Sequence, residues 1–159
     1  MPAHDGSSRP LDDVIDGQRV AMLVTSSAEG LTARPVTILD IHGDVFGFLV
    51  DRTTPWALDV AGGATDVLLA FAGPHANRWV SLSGRARLLD DRATLERLWS
   101  PEIGAFFDGV DDPTLVALEV EVTGGEWWEG PSGRLGRAIA MVFRDDEDKP
   151  GEHGSVELD

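Results

Sequence analysis

Residues 11–17, LDDVIDG, put Leu11, Val14 and Ile15 on one helical face before a glycine, which predicts a short opening helix. The period then changes to that of strands. RVAMLVTSS (19–27) is a near-continuous apolar run, TARPVTILDI (32–41) alternates with many β-branched residues, and VFGFLV (45–50) follows. Ala28-Glu29-Gly30 and His42-Gly43-Asp44 read as hairpin turns, so three strands form a meander. DRTTPWALDVAGG (51–63) reads as a helix with Thr54 as N-cap, Pro55 at the first helical position and Gly62-Gly63 at its end. DVLLAFA (66–72) is a strand. In WVSLSGRARLL (79–89), Trp79, Ser81, Ser83, Arg85 and Arg87 take one face, and Val80, Leu82, Gly84, Ala86 and Leu88 the other. RATLERLW (92–99) predicts a helix, and PEIGAFFDGVDDP (101–113) a turn or short helix with a loop. TLVALEVEVTGGEWWEG (114–130) returns to period two, with Val116, Leu118, Val120 and Val122 opposite Glu119 and Glu121. GRLGRAIAMVF (133–143) fits helix or strand. Residues 144–153 read as an exposed acidic linker before a last short strand, SVEL.

Six or seven strands with two or three short helices predict a mainly β protein, a small closed or nearly closed antiparallel barrel. A chain of 159 residues with 42% hydrophobic content fits one domain spanning 1–159, with residues 1–10 expected to be flexible.

Composition narrows the chemistry. The absence of cysteine removes disulfides, thiolate–metal sites and thiol catalysis. The formal charge of −15 argues against nucleic acid and anionic membranes as partners. That charge is uneven: residues 17–89 hold six acids and six arginines, so an anionic small molecule is tolerated there. No run is long enough for a membrane span, and residues 1–10 hold no signal-like apolar stretch, so a cytoplasmic protein is expected. Twelve of the thirteen bases are arginine; Lys149 is the only lysine.

Few motifs carry catalytic chemistry. His4, His42, His75 and His153 show no i,i+3 or i,i+4 pairing, so no metal-binding helix motif exists. Ser81 and Ser83 lie on a strand without a nucleophile elbow, and Gly84 marks a bulge or a close backbone approach. The paired acids Asp12-Asp13, Asp90-Asp91, Asp111-Asp112 and Asp145-Asp146 fall at helix starts or in loops, where carboxylates satisfy free amides. Residues 34–56 say more. Arg34 stands on a strand beside Pro35, and Arg52, Thr53 and Thr54 precede a helix start, a sensible combination for a phosphate. Solvated arginines and an ordinary N-cap account for the same residues. Trp56, Trp79, Trp99, Trp127 and Trp128 lie on separate elements and suit a flat ligand's walls, a core or a dimer seam.

The order of three pieces is more specific: MLVTS with ARPV, VSLSGRARLLDD with LW, and GVDDPTLVALEV with EWW. Over residues 12–130 the chain resembles the general stress protein family of FMN-binding split barrels, related to pyridoxamine 5′-phosphate oxidase. The resemblance implies a six-stranded antiparallel split barrel that dimerises, with FMN in the clefts between subunits. It places Arg34, Pro35 and Val36 beside the ring and ribityl chain, and runs Leu49, Val50 and Asp51 along the ring. Arg52, Thr53 and Thr54 are offered to the phosphate. Trp79 and Trp99 of the other subunit come near the ring, or else pack the dimer.

One departure stands out. Where the family places a phosphate-binding lysine, this chain has Trp56, so either Arg52 or an arginine from 78–87 substitutes, or FMN binds weakly or gives way to another ligand. The arginine–histidine pair that holds pyridoxal phosphate in the true oxidases is absent, which speaks against vitamin B6 oxidation. The leading expectation is a homodimeric, FMN-dependent, low-specificity flavin reductase or oxidoreductase, with no catalytic side chain and no metal. The alternatives are a non-enzymatic, stress-associated dimer whose phosphate corner is filled by Trp56, and a split barrel holding deazaflavin or haem.

Overall fold

The computed structural model describes residues 8–73, 77–130 and 152–158. In chain order the elements are β1 (Ser8–Pro10), α1 (Leu11–Ile15), β2 (Val20–Ser27), β3 (Gly30–Thr37), β4 (Asp40–His42) and β5 (Val45–Asp51). They continue with α2 (Pro55–Val60), β6 (Thr65–Gly73), β7 (Arg78–Leu89), α3 (Arg92–Leu98), a 3-10 turn (Pro101–Ala105), β8 (Leu115–Glu129) and β9 (Glu152–Glu157). The protein is mainly β, as the alternation of its sequence predicts.

Three expected elements differ. The strand expected over 32–41 divides into β3 and β4, because the chain changes partners between them. The Ile38 N–H still donates to Arg19 O across β2's start (2.7 Å), whereas the Leu39 N–H donates to Gly47 O on β5 (2.9 Å). Thr54 occupies the N-cap of α2, but its hydroxyl donates to Asp51 O at 2.9 Å and caps no helical amide. The last strand begins at Glu152, so Glu152 and His153 of the expected 144–153 linker belong to β9, and Ser8–Pro10 of the expected flexible start forms β1 parallel to it. The remainder of that linker, the 133–143 segment, residues 1–7 and His75 lie outside the described residues.

Six long strands make the barrel, and three short ones extend it to nine among the described residues. Hydrogen bonding runs β1-β9-β8-β7-β6-β2-β3, while β5 pairs with β8 and with β4. The long strand β8 reaches so many partners because β7 runs along 117–129 while β5 takes 115–121 and β9 takes 126–129. Among the described residues β3 pairs with β2 and not with β5, so the barrel is split along that seam. The core fills the inside with Leu23, Phe46, Phe48, Leu69, Leu82 and Leu118, each at most 1% exposed. On β7 the inward residues are Val80, Leu82, Gly84 and Ala86, the face the sequence pattern assigns to the interior.

The β7–β8 register shifts between Ser83 and Gly84. Ser83 pairs with Gly124 and Gly84 with Val122, leaving Thr123 as the extra residue. A single extra residue reverses which side chains point inward. Val116, Leu118, Val120 and Val122 are buried before it, and Trp127 (0% exposed) rather than Trp128 (39%) is buried after it. Leu115 and Ala117 are buried as well, because α3 covers the other face of β8 there with Leu95 and Leu98.

Trp127 is held by two contacts. Its Nε1–H donates to Ser155 O at 3.2 Å, and the Arg9 guanidinium lies 3.9 Å from its ring centroid. Arg9 and Arg78 both donate to Glu129 Oε2, at 2.9 and 3.1 Å. Burial pushes the Glu129 carboxyl up, but these two arginines outweigh it and hold it below the usual carboxylate range.

Gly84 makes the register shift possible. A Cβ built there meets Val120 Cγ1 at 2.7 Å and Glu121 O at 2.8 Å, the second of which is backbone. Gly84→Ala is therefore expected to destabilise the protein by about 2–3 kcal/mol in urea unfolding, as overpacking against an unyielding neighbour does. Gly124→Ala, whose Cβ meets nothing within 4 Å, serves as the control and is expected to cost less than about 1 kcal/mol. Equal midpoints for the two variants would refute the assignment.

Candidate functional site

The seam between β3 and β5 opens into a cavity of about 470 Å³, within the size range of small-molecule sites. Arg34, Pro35, Val36 and Thr37 of β3, then Leu39, form one wall, and Leu49, Val50 and Asp51 of β5 another. Trp56 of α2, with Ile103, Phe106 and Phe107 of the segment between α3 and β8, completes the lining.

Arg34 is an inward-facing residue. In the β2–β3 pairing Ala21 opposes Val36, Leu23 opposes Arg34 and Thr25 opposes Thr32, and directly opposed residues share a face. The interior row thus begins apolar and ends polar at the open end of the barrel. A guanidinium in such a place needs acceptors. Arg34 Nη1 donates to Thr25 Oγ1 at 2.7 Å and to Leu23 O at 3.3 Å, and Nη2 donates to Thr32 Oγ1 at 2.5 Å. Thr25, at 3% exposed, is the buried polar residue of the described chain. The guanidinium carbon lies 4.9 Å from the Trp56 ring centroid.

All of these partners are uncharged. Burial lowers the Arg34 pKa, yet a guanidinium keeps its proton, so a positive charge without a paired carboxylate lines the cavity. It has five N–H groups, of which three hydrogen bonds to the chain are described. The result is a fixed cation beside apolar strand walls, suited to a flat molecule bearing an anionic group.

The other residues proposed for the site divide. Arg34, Pro35, Val36, Leu49, Val50, Asp51 and Trp56 line one cavity together. Arg52 turns away from it: its Nη2 donates to Leu115 O at 3.0 Å, its Nη1 lies 4.0 Å from Asp90, and it borders a separate cavity of about 260 Å³. Thr53 spends both its N–H (2.8 Å) and its hydroxyl (2.6 Å) on Asp51 Oδ1. Arg78, Arg85 and Arg87 are bound to Glu129, Ala64 O and Glu119 respectively. The cation that lines the cavity is therefore Arg34. Trp99 packs in its own chain against the buried cluster of Leu95, Leu98, Leu115 and Ala117 and is not among the residues lining the cavity. Trp79 lies on the outer face of β7 opposite Trp128, 43% exposed.

Ile103, Phe106 and Phe107 were not legible as site residues, because PEIGAFFDG has no period that would give it a face. A larger cavity, about 770 Å³, borders α1 and β4. Asp12, Asp40, Asp44 and Glu157 line it with Arg19 and with Leu11, Ile38, Leu39 and Ile41, so four carboxylates face one cation and the cavity disfavours an anionic ligand. Among the described residues no group of acids and histidines is arranged to hold a metal ion, and no helix is long and apolar enough to cross a membrane.

Comparison with known proteins agrees with this architecture. A solved general stress protein 26 from Jannaschia sp. CCS1 superposes with a TM-score of 0.68 at 23% identity, covering 92% of this chain and 94% of that one. The general stress FMN/FAD binding protein of Xanthomonas citri superposes with a TM-score of 0.65 at 27% identity, over 76% of this chain and 86% of that one. General stress protein 26 of Bacillus subtilis is 37% identical over 43 residues, which span 27% of this chain and 31% of that relative. The sequence model described as pyridoxamine 5′-phosphate oxidase like matches residues 7–149, and with its split barrel the chain belongs to that family.

Proposed function

We propose that this chain binds FMN in the β3–β5 seam and works as a homodimeric cytoplasmic oxidoreductase of low substrate specificity, a flavin reductase by class. The observation that carries the reading is Arg34: a guanidinium fixed by Thr25, Thr32 and Leu23 O, with no carboxylate paired to it, in a cavity with apolar strand walls. The flavin-binding name of the Xanthomonas relative supports it.

The chain's residues suit a flavin in part. Val36, Leu49 and Val50 would receive the ring, and Arg34 would hold the phosphate. The turn before α2 adds little, since its hydroxyls are engaged with Asp51 and Arg52 is directed elsewhere. A bound flavin would supply hydride or single-electron transfer. The chain would supply position, exclusion of water by the apolar walls, and a positive charge at Arg34. No side chain in the cavity needs to move a proton, which fits the absence of a catalytic constellation in the sequence.

A second copy would cover the outer face of β2, β6 and β7. Val20 (57% exposed), Met22 (42%) and Trp79 (43%) lie there, a concentration of exposed apolar groups typical of an interface. Light scattering is expected to give twice the chain mass, and a monomer at micromolar concentration would refute the dimer.

Trp56 sustains a second reading, a ligand-binding dimer without catalysis, because its ring stands beside Arg34 where a lysine would give a second cation. Two variants separate the readings. Arg34→Ala is expected to weaken FMN binding by about tenfold or more, the worth of a charged hydrogen bond, and riboflavin binding much less. Fluorescence titration measures both, and an unchanged FMN affinity would count against the site. Trp56→Lys is expected to tighten FMN binding by about tenfold, at some cost in stability because Trp56 packs against the core. If the wild type binds no FMN and only Trp56→Lys does, the second reading stands. An absorption spectrum of the chain from its host distinguishes flavin from deazaflavin or haem.

A further inference from the structure

Phe106 is 80% exposed and yet lines the β3–β5 cavity. A lone phenylalanine on a surface is ordinary; the way this one is held is not. The N–H groups of Phe106 and Phe107 both donate to Ile103 O, at 2.9 and 3.2 Å. The Phe107 side chain packs against the buried cluster of Leu95, Leu98, Leu115 and Ala117. On the far side, the Asp108 N–H donates to the Asp112 carboxylate at 3.0 Å, and the Asp112 N–H donates to Gly109 O at 3.0 Å. The backbone is thus tied on both sides of Phe106, and its ring is presented outward from a fixed support.

An aromatic ring held in water beside an apolar cavity retains its hydrophobic and stacking potential for whatever enters. The barrel strands supply the cavity's aliphatic walls through Val36, Leu49 and Val50, while Phe106 approaches from the segment joining α3 to β8. We infer that Phe106 is a ligand-contacting residue that covers the face of a bound aromatic ring system, making the site select for flat conjugated ligands. This rests on the flavin reading above and adds to it. Arg34 recognises charge and Phe106 recognises the ring, so each contributes separately to affinity.

Titrating FMN into the full-length wild type and three variants tests the assignment. Phe106→Ala is expected to weaken FMN binding about tenfold, in line with losing one stacked aromatic. Phe106→Tyr is expected to bind within about twofold of wild type, and Phe106→Leu to remain close to Phe106→Ala, because it restores apolar area but no ring face. The melting temperature is expected to stay the same throughout, since the side chain is exposed. Phe106→Ala binding as tightly as wild type, or Phe106→Leu restoring full affinity, would overturn the stacking role while leaving the flavin site intact. A wild-type chain that binds no FMN would overturn the flavin reading itself, and this inference with it.

Discussion

Among the described residues strand β3 pairs with β2 and leaves its other edge unpaired toward β5, and the working part of the molecule follows from that omission. An open edge is ordinarily a liability in a sheet. Here the chain crosses from β2's side to β5 at Ile38 and Leu39, and β4 pairs with β5, so the barrel is joined at one end and parts at the other. Pro35 removes a donor from an edge strand, the place in a sheet where proline is tolerated. At the parted end the interior row must meet solvent, which is why it changes from Val36 to Arg34 and Thr32, with Thr25 facing them. Cavity and cation are two results of one missing ladder.

The arginines show how context rather than identity separates a binding group from a structural one. Arg9 and Arg78 converge on Glu129, Arg87 and Arg97 on Glu119, and Arg92 on Glu96 and Asp111. In each of these pairs the charge is already answered. Arg34 is held as firmly, but by hydroxyls and a carbonyl, which fix its direction without neutralising it. With a single lysine in the chain, a remaining free positive charge is valuable, and the net charge of −15 makes its location in the near-neutral stretch before residue 90 more telling.

Much of this was legible in the sequence wherever a strand's alternation was long enough to define a face. The β7 pattern gave the buried row correctly, and Gly84 was readable as a bulge or close approach; the register shift and its contact with Glu121 O make it both. The grouping of Arg34–Val36 with Leu49–Asp51 came from family likeness, and the seam brings them around one cavity. What escaped was direction. Nothing in RTTP says that Arg52 turns toward Leu115 and Asp90, because that depends on where β8 runs. The loop carrying Phe106 has no periodicity, so its place over the cavity is set by the packing of Phe107 beneath α3.

The two adjacent tryptophans illustrate a last point. Their chemistry is identical, and what sends Trp127 into the core and Trp128 to the surface is the odd number of residues that Thr123 adds to β8. The segment between Val122 and Trp127 therefore stores information as a count as well as in the identity of Gly125. Over evolutionary drift, such a stretch should accept substitutions at Thr123 and Gly124, keep Gly125 where a Cβ would meet Ser81 O at 2.6 Å, and reject single-residue insertions or deletions. Only a compensating change of length in β7 or β8 would preserve the order of inside and outside.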